Sequence, residues 1–110
     1  MEVRTERVQG VTILHAIGRL DSISAPTLEV GLIKVVANEK SVVLDMADMN
    51  FVSSAGLRVL LVAAKKCKAS GHRLALCGLA PEVRLVFDIS GFMALFSIYP
   101  GRTEAVAALS

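Results

Sequence analysis

The chain has 110 residues, 54% of them hydrophobic, a mean hydropathy of +0.60 and a formal charge of +2. That length predicts one domain over residues 1–110 with a single core, and the apolar content excludes a disordered chain. Aromatic residues make up 5% and tryptophan is absent, so Val, Leu, Ile and Ala must do most of the packing. The basic residues are scattered along the chain, which predicts neither a nucleic-acid footprint nor a polybasic membrane patch.

Glu2, Arg4, Glu6 and Arg7 interrupt any apolar start, so no signal peptide is expected. The longest uncharged run, 89–101, contains Gly91 and Pro100 and is too short to cross a bilayer. Cys67 and Cys77 form no C-x-x-C pair and are read as buried free thiols. The expectation is a soluble cytoplasmic protein without direct nucleic-acid or membrane partners.

Val3 to Val8 and Val11 to Ile17 read as a hairpin around Gln9-Gly10, after which Gly18-Arg19-Leu20-Asp21-Ser22 breaks the pattern. Ser24 is a candidate N-cap, with Pro26 in the first turn of a helix reaching about Asn38 and Leu28, Leu32, Val35 and Val36 facing a sheet. Ser41 to Met46 reads as a short buried strand, followed by a polar turn. A second helix is predicted from Ser54 to Ser70, stopped by Gly71, with Leu57, Leu60, Leu61 and Ala64 inward and Lys65, Lys66 and Lys68 near its C-terminus, where the helix dipole favours cations.

Arg73 to Cys77 reads as another strand, and Pro81 opens a third helix ended by Ser90-Gly91. Gly91 to Phe96 reads as a core-packing loop, Phe96 to Tyr99 as a last short strand, and Thr103 to Leu109 as a helix capped by Thr103. The fold class is α/β: a mixed sheet with an N-terminal hairpin, covered by about four helices.

The chemistry concentrates in Val42–Arg58. A buried strand, a turn, Ser53-Ser54 and a helix start place two hydroxyls where free backbone N–H groups and the positive end of a helix dipole converge. Ser53 reads as the N-cap, which leaves Ser54 spare on the first turn. A phosphate there would add about −1.5 to −2 charges, tolerated by the helix end but altering any surface that docks on it.

Val52-Ser53-Ser54-Ala55-Gly56 only partly mimics a nucleophile elbow, because valine stands where the leading glycine belongs, and no motif links His15 or His72 to Ser54. Asp21, Asp45 and Asp48 could gather at one sheet end, but they come without a His/Cys set or a calcium-loop pattern and read as turn-capping carboxylates. No phosphate-loop or dinucleotide motif is present. The residues predict a binding module without cofactor or metal, and not an enzyme.

The run Asp45 to Leu57 resembles the signature of the STAS-domain anti-sigma factor antagonists. Gly18-Arg19-Leu20-Asp21 and the segment Leu85 to Phe92 fit the same resemblance, which extends over nearly the whole chain. It implies partner switching: the unmodified protein binds an anti-sigma factor that is also a serine kinase, freeing a sigma factor. Phosphorylation weakens that binding, and a metal-dependent serine phosphatase reverses it.

The resemblance puts the acceptor at Ser54, with Ser53 as second choice. It puts the docking face at Gly18, Leu20, Asp21, Val52, Ser53, Ala55, Gly56, Leu57 and Arg58. Two positions depart from the family pattern: Ser53 stands where many members carry aspartate, and Ala55 where many carry Ser or Thr. The rival reading is a STAS scaffold or small-molecule-binding signalling module without a phosphoswitch.

Overall fold

A computed structural model describes residues 1–110. The first hairpin joins β1 (Glu2–Val8) to β2 (Val11–Leu20) through Gln9 and Gly10, both at positive φ (51° and 78°). That is the two-residue turn whose twist suits antiparallel strands. The chain continues through α1 (Ala25–Asn38), β3 (Ser41–Val52), α2 (Ser54–Ala69), β4 (Arg73–Cys77), α3 (Pro81–Ser90), a 3₁₀ turn at Phe92–Leu95, β5 (Ser97–Tyr99) and α4 (Arg102–Leu109).

The five strands lie in sequence order in one sheet, β1 antiparallel to β2 and every later pair parallel. Parallel neighbours require a crossover element, and α1 and α2 supply two of them. Both helices therefore run against the strands, with their N-termini at one pole of the molecule and their C-termini at the other.

Alternation along the strands divides the core between the two sheet faces. Leu14, Leu44, Met46 and Leu76 meet Leu28 and Leu32 of α1, Leu60 and Ala63 of α2, and Val83 and Phe87 of α3. On the opposite face Val11, Ile13, Val43, Ala75 and Cys77 meet Ala105, Val106 and Leu109 of α4, with Val8 and Tyr99 packed at the margin. Cys67 and Cys77 are free and buried, and burial foremost pushes the Cys77 thiol up to about 12.

Several elements differ from the sequence reading. β3 continues six residues past Met46 to Val52, where a turn was expected, and β2 continues through Gly18 to Leu20. Two register shifts, between His15 and Ile17 and between Gly18 and Arg19, disturb the alternation that would have revealed these extensions. The inward face of α2 carries Val59, Leu60, Ala63 and Cys67, with Leu61 and Ala64 only half-buried. α4 begins at Arg102 with Gly101 in the cap position, so Thr103 is not its cap. Phe92, Met93 and Phe96 pack against the core as expected of that loop, and Phe96 meets Phe87 edge-on at 5.6 Å.

Candidate functional site

The site forms where the extended ends of β2 and β3 deliver their loops to the start of α2. Leu20 lies opposite Val52 in the ladder, and the Ser53 N–H donates to the Leu20 carbonyl at 2.8 Å. The chain then turns sharply into α2. Ser53 is extended (φ −91°, ψ 173°), its Oγ accepts from the Gly56 N–H at 3.2 Å and its carbonyl accepts from Leu57 N–H at 2.9 Å. It is an N-cap in full, so its hydroxyl is committed to the helix.

Ser54 follows as the first helical residue and is exposed, as is Arg58 one turn on. The two positions are four apart and so share a helix face. Beside them lies a shallow groove of about 320 Å³, lined by Ser54, Leu57, Arg58, Leu61, Ser90 and Phe92. The far end of α3 thus borders the same surface.

Asp21 organises the adjoining loop. Its Oδ1 accepts from the N–H groups of Ile23 and Ser24, both at 3.0 Å, while its own N–H donates to Ser24 Oγ at 3.0 Å. Ser24 Oγ in turn donates to the Arg19 carbonyl at 2.5 Å. The Ser24 N–H foremost holds the Asp21 carboxyl below the usual carboxylate range. Ser24 occupies the cap position of α1 but makes no side-chain bond to the helix, because its hydroxyl is spent on this loop.

The residues expected on the docking face divide into two groups. Leu20, Val52 and Gly56 are buried and build the site from beneath, and Leu57, also buried, reaches the surface only where it lines the groove beside Ser54. Gly18, Asp21, Ser53 and Ala55 are half-buried, whereas Ser54 and Arg58 are exposed. Beyond the groove, exposed apolar area comes from Ile23, 87% exposed, and Phe51, over whose ring the Arg19 guanidinium sits at 4.2 Å. An isolated isoleucine in a polar loop was the available signal for Ile23. Phe51 was hidden in the segment read as a turn.

The remaining candidates disperse. Asp45 is buried, accepts from Ala47 N–H at 3.0 Å and pairs with Arg102 at 2.9 Å, while Asp48 pairs with His15 at 2.8 Å. With Asp21 in its own loop, the three aspartates form no common site, and no group of three metal-ligating side chains occurs. His72 Nδ1 donates to the Val36 carbonyl at the far end of α2, so neither histidine serves Ser54.

Comparison with known proteins agrees with this architecture. The STAS domain family matches residues 2–105. BtrV of Bordetella bronchiseptica, whose name assigns it provisionally to the anti-sigma factor antagonists, is 39% identical over 98% of this chain and 94% of its own. An anti-sigma F factor antagonist of Paenibacillus polymyxa is 25% identical over 99% of this chain and 95% of its own. The crystal structure of an anti-sigma factor antagonist from Mycobacterium paratuberculosis superposes with a TM-score of 0.89 at 26% identity, covering 98% of this chain and 92% of that one. The fold and site define a STAS-domain protein. Within that class, the chain belongs to the family of the anti-sigma factor antagonists.

Proposed function

We propose that this protein binds an anti-sigma factor through the Ser54 pole and is released when that partner, acting as a serine kinase, phosphorylates Ser54. A metal-dependent serine phosphatase would restore the binding form. The observation that carries the reading is the division of labour between adjacent serines. Ser53 Oγ is bonded to Gly56 N–H, and Ser54 is exposed at the positive end of α2.

The physical mechanism is local. A phosphate on Ser54 sits comfortably in the free protein, because free backbone N–H groups and the helix dipole favour an anion there. In a complex the same group must be desolvated or must face partner acids. Either costs several kcal/mol, hence orders of magnitude in affinity. Ile23 and Phe51 supply the apolar contact, and Arg19 and Arg58 favour a partner with acidic groups around an apolar depression.

The test is affinity of the cognate anti-sigma factor for Ser54→Ala, Ser54→Asp and wild type, with intact-mass mapping after incubation with ATP. Ser54→Ala retaining wild-type affinity, Ser54→Asp losing it, and phosphate found on Ser54 support the reading. Equal affinities with no phosphate acquired would leave a STAS scaffold without a phosphoswitch.

A further inference from the structure

The chain's five lysines and Arg73 are spread from residue 34 to residue 73, but the fold brings them to one pole. Because α1 and α2 run in the same direction, Lys34 and Lys40 at the end of one join Lys65, Lys66 and Lys68 at the end of the other. Lys34 and Lys66 line a common groove of about 450 Å³ between the helices. Arg73 N–H donates to the Lys40 carbonyl at 2.8 Å, and Lys68, His72 and Arg73 line a second depression next to it.

The opposing charge is small. Arg7 and Glu39 cancel each other in an ion pair at 2.6 Å, which leaves Glu29, on the rim of the first groove, as the remaining side-chain carboxylate. Of twelve cations and ten carboxylates in the chain, the rest of the molecule holds five and eight. The protein is therefore an electric dipole whose positive pole lies opposite Ser54. Lysines in the last turn of α2 also complement its own dipole. That does not account for Lys34 and Lys40, which extend the same surface beyond α2, while Arg73 Nη2 donates to the Ala108 carbonyl at the end of α4 at 2.9 Å and adds its charge there.

We propose that this pole is a peripheral contact for an anionic lipid surface. The cations span two helix ends and a loop rather than converging on one point, which suits an extended charged plane better than a compact ligand. Exposed aliphatic side chains, Val30 at 73% and Val62 at 39%, share the groove with Lys34 and Lys66 one turn back along each helix, where they can meet a headgroup layer into which the lysines reach. No exposed aromatic ring stands among them for bases to stack on, the feature that single-stranded nucleic acid would favour. Contact through this pole turns the Ser54 pole away from the surface and leaves it accessible.

The test is co-sedimentation of the full chain with vesicles of equal parts phosphatidylglycerol and phosphatidylcholine, against phosphatidylcholine alone. Binding is expected to the anionic vesicles only, in about 0.05 M sodium chloride, and to vanish near 0.5 M. The exposed triple change Lys34→Glu, Lys66→Glu, Lys68→Glu is expected to weaken it by about a hundredfold or more, while Arg84→Glu on α3 leaves it within about twofold. Unchanged thermal unfolding of the triple variant secures the comparison. No binding at low salt, or binding that survives the triple change, overturns the proposal. Displacement of the protein from the vesicles by duplex DNA at equal anion concentration overturns it in favour of nucleic acid.

Discussion

Gly56 rests directly against Leu20. A Cβ built on Gly56 would lie 2.6 Å from Leu20 Cγ, 2.9 Å from its Cδ2 and 3.1 Å from its carbonyl oxygen. The carbonyl is the part that cannot swing away, since it accepts the Ser53 N–H. The first turn of α2 is thereby clamped onto the end of β2, and the loop carrying Asp21 and Ile23 is held beside Ser54. Gly56→Ala should cost about 1–3 kcal/mol, as overpacking of a tight contact does, measurable as a lower urea midpoint. Adding Leu20→Ala relieves the side-chain clash but not the carbonyl, so the double variant should be less destabilised than the two single effects added.

The two serines should separate in stability as well as in binding. Ser53→Ala removes a cap and should cost about 1 kcal/mol, while Ser54→Ala should stay within about 0.5 kcal/mol of wild type. Urea unfolding of the two variants decides it. Equal losses at both positions would mean that the caps are shared and would weaken the case for Ser54 as the spare hydroxyl.

Much of this was legible in the sequence, and the failures have particular causes. The hairpin, the crossover order, the Ser53 cap and the buried thiols follow from turn residues, apolar runs and local propensity. The end of β3 was not legible because bulges in its pairing with β2 destroy the period-two pattern that marks a strand. The burial of Val52 and the exposure of Phe51 follow from that missed extension, whereas Leu57 is buried on α2 as its helical spacing predicts. The gathering of Lys34, Lys40 and Lys66 was invisible for another reason: it depends on the parallel course of α1 and α2, which linear spacing does not encode.

Arg102 should matter out of proportion to its surface position. Its guanidinium bonds the buried Asp45 through Nε at 3.1 Å and Nη2 at 2.9 Å, and pairs with Glu6 as well. These contacts raise its pKa against the opposing effect of burial, which is the largest single influence on it. Truncation in Arg102→Ala strands the Asp45 carboxylate and should cost about 2–3 kcal/mol, somewhat below a fully buried pair because the arginine is one-third exposed. The paired change Asp45→Asn with Arg102→Ala should recover part of the loss. Thermal unfolding of the three variants measures both the cost and the recovery.

Asp21 should contribute a recognisable limb to the acid unfolding profile. Its carboxyl titrates below the ordinary value because it accepts from Ser24 and Ile23 N–H groups, with Ser24 Oγ and the Arg19 charge acting in the same direction. A native pKa below the unfolded one means that the unfolded chain binds the proton more readily. The stabilisation is therefore whole above about pH 4 and is lost as pH falls through the lower native value. Asp21→Asn, which keeps one acceptor oxygen but no charge, should flatten the stability curve in that acid window and leave its shape above pH 5 unaltered. Urea midpoints between about pH 2.5 and 6 measure it. A variant whose acid limb parallels that of wild type would show that the Asp21 carboxylate, although bonded, does not couple to folding.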